Sequence, residues 1–187
     1  MIKNTHFIIT GPSGVGKTTI CRILKERLPE LTKFVTTTTR PPRPGEVNGR
    51  DYYFVTEAQF KKDIANNEFF EWDHHYGNYY GSSKIKFTEF VNTTPLGVFI
   101  LDPTGARTVK SLMPEIITIF VKPETHGDIV TRLYDQERKD DNPIARLTAT
   151  EKEIEQVNLF DCTIINRQGY IYETVDQIQK IITEAQK

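Results

Sequence analysis

Gly11-Pro12-Ser13-Gly14-Val15-Gly16-Lys17-Thr18 fits the pattern G-x-x-x-x-G-K-[S/T] at every fixed position. Its flanks decide how it reads. His6-Phe7-Ile8-Ile9-Thr10 precedes it as a short apolar strand. Thr19-Ile20-Cys21-Arg22-Ile23-Leu24-Lys25-Glu26-Arg27-Leu28 follows, with apolar residues at 20, 23, 24 and 28, a helical spacing. Strand, glycine loop and helix is the context that turns the pattern into a phosphate cradle rather than an ordinary Gly-rich turn. The glycines let backbone N–H groups converge on an anion, and the helix N-terminus adds positive dipole. Residues 11–19 are therefore the expected nucleotide-phosphate contacts. Lys17 can reach the β- and γ-phosphates, and the Thr18 hydroxyl can ligate Mg²⁺.

Beyond the loop, three segments read as buried strands: Val98–Leu101, Ile116–Val121 and Cys162–Ile165. Each is a short apolar or β-branched run, as parallel strands covered on both faces should be. Residues 126–136, 143–157 and 171–186 read as helices, the last with Ile171, Val175, Ile178, Ile181 and Ile182 at helical spacing. The alternation predicts an α/β fold, a parallel sheet core flanked by helices. Residues 33–96 break it. They are rich in Thr, Tyr, Phe, Gly and Pro, with β-like pieces at Lys33–Thr38 and Tyr52–Val55 and a helix from Glu57 to Asn66. This predicts an inserted mixed α/β subdomain. A second, polar interruption, Asp135–Pro143, reads as a solvated loop within a small lid over 135–146. The core would then be 1–32, 97–134 and 147–187.

The chain has 187 residues, 37% hydrophobic and 26% charged, which suits one folded domain with insertions and excludes disorder. Net charge is −1, so no basic excess points to nucleic acid. No apolar run approaches the ~20 residues that span a membrane. Residues 1–5 lead into the first strand without a signal-like apolar region. Cys21 and Cys162, far apart in core-like segments, read as two buried thiols in a reducing cytosol, not as a disulfide or metal pair. The location implied is cytoplasmic. Asp73-His74-His75 invites a metal reading, but adjacent histidines point in different directions and no other Cys/His cluster accompanies them.

Residues 36–84 are the most specific. Thr36-Thr37-Thr38-Thr39-Arg40-Pro41-Pro42-Arg43-Pro44-Gly45-Glu46-Val47-Asn48-Gly49-Arg50-Asp51-Tyr52-Tyr53-Phe54 resembles the T-T-R-x-P-R-x-G-E-x-x-G-x-D-Y-x-F signature of guanylate kinases. Glu68-Phe69-Phe70-Glu71-Trp72 and Tyr76-Gly77-Asn78-Tyr79-Tyr80-Gly81-Ser82 resemble that family's E-F-x-E and G-N-Y-Y-G-[S/T] segments. With the glycine loop, these matches keep the family's order and roughly its spacing, and they are strongest over residues 7–84. The resemblance implies a P-loop NTPase-like core with an inserted GMP-binding subdomain. It implies ATP as donor, GMP as acceptor, and Mg²⁺ as cofactor held by Thr18, mainly through ATP phosphates and water.

The chemistry runs alongside the resemblance. Arg40 and Arg43 offer forked donors to a dianionic phosphate, and Tyr52 and Tyr80 add phenolic donors. The family's phosphate clamp falls on the same four residues. Guanine presents two adjacent donors, N1–H and the 2-amino group. One carboxylate accepts both, and Glu71 resembles that group, with hydroxyls of Thr36 and Ser82 for guanine O6. Adenine would face Glu71 with a lone pair, a mismatch that discriminates strongly. Taken singly, an Arg-Pro-Pro-Arg run is usually a solvated turn and paired tyrosines are usually packing residues. Together they form a phosphate-plus-guanine recognition set.

Two stretches depart from the family. Its acidic-x-Asp-x-Gln-Gly segment is replaced by Ile100-Leu101-Asp102-Pro103-Thr104-Gly105. Anchoring on Gly105 puts Asp102 at the second acidic position; anchoring on Ile-Leu-Asp puts it at the first, with two residues missing. Either way one acidic group is lost and Pro103 removes a backbone donor. Asp102 then serves Mg²⁺-bound water, Lys17 or the nucleotide. In the lid, Arg132-Leu133 and Arg146-Leu147 fit the two ends of the pattern R-L-x-x-R-G…I-x-x-R-L, but Gln136 takes the middle Arg position and Arg138 sits two residues later. Lys17, Asp102, Arg132 and Arg146 are the expected catalytic set.

The reaction implied is Mg·ATP + GMP ⇌ ADP + GDP, by in-line attack without a covalent enzyme intermediate. Expected partners are ATP and GMP, with no nucleic acid or membrane; homo-oligomerisation stays open. Two rivals remain at this point: a related kinase of a ribose bisphosphate, which has no use for Glu71, Thr36 and Ser82, and a phosphopeptide-binding module, which has no use for an intact glycine loop.

Overall fold

The computed structural model describes residues 4–75, 77–125, 127–128 and 150–186. The chain forms two compact units, Met1–Lys33 with Pro95–Lys187, and Phe34–Thr94.

The first unit is built on a parallel sheet. Its strands are β1 (Thr5–Thr10), β2 (Thr32–Lys33), β7 (Leu96–Ile100), β8 (Ile117–Pro123) and β9 (Cys162–Asn166), in the order β2-β7-β1-β8-β9. All four pairings are parallel, with Ile8 level with Phe99 and Ile9 level with Ile119. The fully buried run Phe7-Ile8-Ile9 lies on the central strand, as the apolar pattern requires. Helices α1 (Lys17–Arg27) and α5 (Ile171–Ala185) cover one face. There Ile20, Leu24, Val175, Ile178 and Ile182 pack with Phe7, Ile9 and Val98 in one core. Helix α4 (Pro103–Leu112) buries Ala106 and Val109 and packs against β1.

Helix α4 is not among the helices read from the sequence, where Pro103 stood only as a lost backbone donor. Pro103 sits in the first turn, where an N–H has no helical partner to lose. The donor that Pro103 removes is therefore one the helix does not need. Residues 150–154 are helical and end in a turn and a 3-10 segment, Val157–Leu159, so the helix expected to run to 157 stops earlier. Cys21 is buried, and Cys162 is only half-buried. No helix among the described residues is long and apolar enough to cross a membrane.

The second unit holds a four-stranded mixed sheet. Its strands are β3 (Thr37–Thr38), β4 (Tyr53–Phe54), β5 (Phe69–His75) and β6 (Asn78–Ser83), in the order β4-β3-β6-β5. The expected single β piece Lys33–Thr38 is in fact divided. Lys33 ends β2 of the first sheet and Thr37 begins β3 of the second. Phe34, 2% exposed, anchors the start of the unit edge-on to Phe87 and Phe90. These rings belong to α3 (Lys84–Thr93), a helix with no fully buried residue and no reading in the sequence. Helix α2 (Glu57–Ala65) is capped by the Thr56 side chain, which accepts from the Gln59 N–H. Its one buried residue, Phe60, stacks on Phe69 with ring centroids 4.5 Å apart and lies 5.3 Å from Tyr79.

Candidate functional site

In the first unit the site is the loop between β1 and α1. Gly11 has φ +132°, and a Cβ there would fall 2.0 Å from the Val121 carbonyl oxygen, so the loop's start admits only glycine. Gly16 ends the loop at φ 100°, as the residue before α1. The chain thus enters the helix with its first-turn N–H groups unpaired within the helix, which is the property that suits an anion. Val15 is fully buried, whereas Thr18 and Thr19 stand exposed at the helix start. Lys17 Nζ donates to the carbonyl oxygens of Gly11 and, at 3.0 Å, of Pro12. Burial holds its pKa below the ordinary lysine value, while the carboxylates of Glu153 and Asp102 act to raise it. Glu153 carried no signal in the sequence. It meets Lys17 only through the folding of residues 150–154.

Asp102 lies at the carboxyl end of β7, where ligands of α/β sheets bind. It caps α4 by accepting from the Gly105 N–H at 2.8 Å. The Asp102-Pro103 departure is thus a helix start, and Asp102 also faces Lys17 electrostatically.

In the second unit the candidates gather on one face of the mixed sheet. Directly opposed residues of paired strands share a face. Thr38 opposes Tyr80 and Phe54, and Glu71 opposes Ser82. By alternation Thr36, Tyr52, Glu71, Tyr80 and Ser82 point the same way. The other side carries Gly81, where a Cβ would fall 2.9 Å from Phe60 and 3.1 Å from Phe69. The register shifts between Phe69 and Glu71. This bulge decides Glu71's direction. Two residues apart on a regular strand, Phe69 and Glu71 would share a face. The extra residue sends Phe69 onto Phe60 and Glu71 to the polar side.

Arg40 is held from several directions. It makes a two-pronged ion pair with Glu46 at 2.8 and 2.9 Å, donates to the Pro41 carbonyl at 2.6 Å, and lies over the rings of Tyr52 and Phe54 at 5.4 and 5.8 Å. Glu46 also accepts from the Arg43 N–H at 2.7 Å, so one carboxylate fixes both arginine positions. Its place in the signature was legible, but its task was not. Tyr52 and Tyr80 meet edge to face at 6.3 Å. Burial raises the Tyr52 pKa, Tyr80 adds to this, and Arg40 opposes it, so the phenol stays a donor. The Arg43 guanidinium also acts on Tyr52, although Arg43 itself is exposed. The Ser82 hydroxyl is fully buried and has no hydrogen-bond partner among the described residues. A buried orphan of this kind is unusual in a native protein.

The structure therefore brings together Arg40, Arg43, Tyr52 and Tyr80, and separately Glu71 with Ser82. Arg132, Arg138, Arg146, Tyr76, His126, the lid over 135–146, the helix over 126–136 save residues 127–128, and the start of that over 143–157 lie outside the described residues.

The family model described as "Guanylate kinase" matches residues 3–185. A guanylate kinase of Nostoc sp. is 41% identical over 160 residues, covering 85% of this chain and 80% of its own. One from Shewanella violacea is 42% identical over 167 residues, covering 88% and 80%. The crystal structure of guanylate kinase from Anaplasma phagocytophilum superposes with a TM-score of 0.77 at 27% identity, over 100% of this chain and 88% of that one.

Proposed function

Because this chain belongs to the guanylate kinase family, and is thereby a nucleoside monophosphate kinase that transfers a phosphoryl group from ATP to GMP, we propose which of its residues hold each substrate. The observation that carries the acceptor assignment is the shared polar face of the second sheet, with Ser82's buried hydroxyl lacking a partner among the described residues. Arg40, Arg43, Tyr52 and Tyr80 clamp the GMP phosphate. Glu71 accepts guanine N1–H and the 2-amino group, and Thr36 and Ser82 donate to O6. A ribose bisphosphate offers no base to Glu71 and Ser82.

Residues 11–19 hold the donor's phosphates, with Lys17 moving from its own loop carbonyls to the β- and γ-phosphates. Among the described residues no three His, Cys, Asp or Glu side chains gather as a metal site. A lone hydroxyl at a phosphate cradle suits Mg²⁺, which is commonly held by few protein ligands plus phosphate and water. Thr18, exposed at the start of α1, would hold it, and Asp102 would reach its waters. When bound, Mg²⁺ would neutralise charge on the phosphates that Lys17 and the loop amides hold. Arg132 and Arg146 supply charge to the transferring group. Lys17 stabilises charge developing on the γ-phosphoryl as a GMP phosphate oxygen attacks in line.

A coupled ADP-release assay with GMP, AMP, CMP, UMP and ribose 1,5-bisphosphate is expected to show turnover with GMP alone. Glu71→Gln is expected to lower kcat/KM for GMP by about a hundredfold or more, since an amide cannot accept both guanine donors. ATP affinity should hold. Equal loss for both nucleotides would make Glu71 a folding residue, and ligand binding without GDP formation would make the protein a binding module.

A further inference from the structure

Asn166, the last residue of β9, is 2% exposed, and both ends of its amide make buried hydrogen bonds. Its Nδ2 donates to the Val15 carbonyl oxygen at 2.7 Å, inside the phosphate-binding loop. Its Oδ1 accepts from the Thr174 hydroxyl at 3.0 Å, and Thr174, on α5, is 1% exposed. The fit is close: a Cβ on Gly16 would fall 2.9 Å from the same Nδ2. Val15 C=O and Gly16 N–H belong to one planar trans peptide, so they point in opposite directions. Holding the carbonyl toward Asn166 turns the Gly16 N–H away from it, at the start of α1.

We propose that Asn166 is a positioning residue for phosphoryl transfer: it sets the Val15–Gly16 peptide so that the Gly16 N–H is offered to the donor nucleotide's phosphates, and Thr174 sets Asn166. The Val15 carbonyl can only accept, so it takes the NH₂ end of the amide; the Thr174 hydroxyl, which also lies 3.4 Å from the Ile165 carbonyl oxygen, donates to the remaining oxygen and holds the amide in that sense. Without it the amide can turn and place its oxygen against the carbonyl, which repels. The two contacts join β9 and α5 to a loop 151 positions before Asn166 in the chain. The inference rests on residues 11–19 being the donor site.

The test uses the full chain with four variants: Asn166→Ala, Thr174→Val, Thr174→Ser and, as a control on the reading itself, Lys17→Ala. Each is measured for ADP affinity by calorimetry, for KM of ATP and of GMP, and for thermal melting. Asn166→Ala is expected to weaken ADP binding and raise the ATP KM by about tenfold, the effect of losing one buried hydrogen bond. The GMP KM should stay within about twofold. Thr174→Val should shift ADP affinity in the same direction by a smaller factor, and Thr174→Ser, which keeps the hydroxyl, should restore it. A merely structural role would lower the melting temperature and leave nucleotide affinity alone; that result overturns the proposal. Where Asn166→Ala does not fold, wild-type ADP affinity in Thr174→Val overturns it equally. Failure of the underlying reading looks different. Lys17→Ala would then turn over GMP like the wild type.

Discussion

At the scale of single residues, Lys17 shows how position creates chemistry. A lysine on an exposed helix would be an ordinary solvated cation. Here it is half-buried, bonded to two carbonyls of its own loop and flanked by Asp102 and Glu153, and burial depresses its pKa. Lys17→Ala is expected to cost about 3–4 kcal/mol of transition-state stabilisation, the range of a preorganised donor. The comparison is kcat/KM with GMP, alongside a circular dichroism spectrum matching the wild type. Near-normal turnover would remove the loop from the mechanism. Lys17 was legible because its motif is local. Glu153 and Asn166 were not, because each reaches the loop only through the tertiary fold, from residues over 130 positions away. Glu46 stood in the signature without a task until its bonds to Arg40 and to the Arg43 N–H assigned one.

Elements were legible where one pattern dominated and illegible where patterns conflicted. The apolar runs of β1, β7, β8 and β9 and the periodicity of α5 announced themselves. Helix α4 hid behind Pro103 and Gly105, and α3 behind its lack of a buried stripe. The bulge that aims Glu71 had no local sequence signal, since it depends on pairing with β6. Packing inside the second unit rests heavily on one ring. Phe60 is fully buried against Phe69 and Tyr79, and Phe60→Ala is expected to destabilise that unit by about 3–5 kcal/mol. Trp72, the chain's single tryptophan, lies on β5 and reports it, so a urea melt followed by fluorescence should show a lower midpoint. An unchanged midpoint would mean the aromatic stack is dispensable.

A second contact ties α4 and β8 to Asp161, the residue before β9. Asp161 accepts from the Thr118 N–H and hydroxyl and from Lys110 Nζ, at 2.7–2.8 Å. Burial works to raise its pKa, but the bonds from Lys110 and Thr118 outweigh it and hold the carboxyl below its ordinary value. A depressed folded pKa contributes stability that is present above the unfolded pKa and lost as pH falls through the folded one. Asp161→Asn should therefore be less stable than the wild type at pH 7, with the gap closing below about pH 4. Urea midpoints across that range test it; a gap that widens toward acid would reverse the sign.

For the molecule as a whole, the proposed donor and acceptor sites lie in different units. GMP alone is then expected to slow amide exchange chiefly within 34–94, and a non-hydrolysable Mg·ATP analogue chiefly around residues 11–19. Hydrogen exchange resolved by peptide checks this, and protection of the glycine loop by GMP alone would refute the division of labour. In-line transfer needs reacting atoms ~3–3.5 Å apart, so a bisubstrate analogue should protect both at once. One topological detail reaches further. Strand β2, which leads out to the second unit, and β7, which returns from it, are hydrogen-bonded neighbours, Thr32 level with Gly97. The 61-residue excursion Phe34–Thr94 leaves and rejoins the first sheet on adjacent strands, like a cassette in a slot. Such insertions are tolerated because they leave the host's own pairing intact. If the proposed division of sites holds, evolution can exchange or retune the unit Phe34–Thr94 while the glycine-loop unit stays as it is, and an engineer seeking a new monophosphate specificity has a natural pair of splice points.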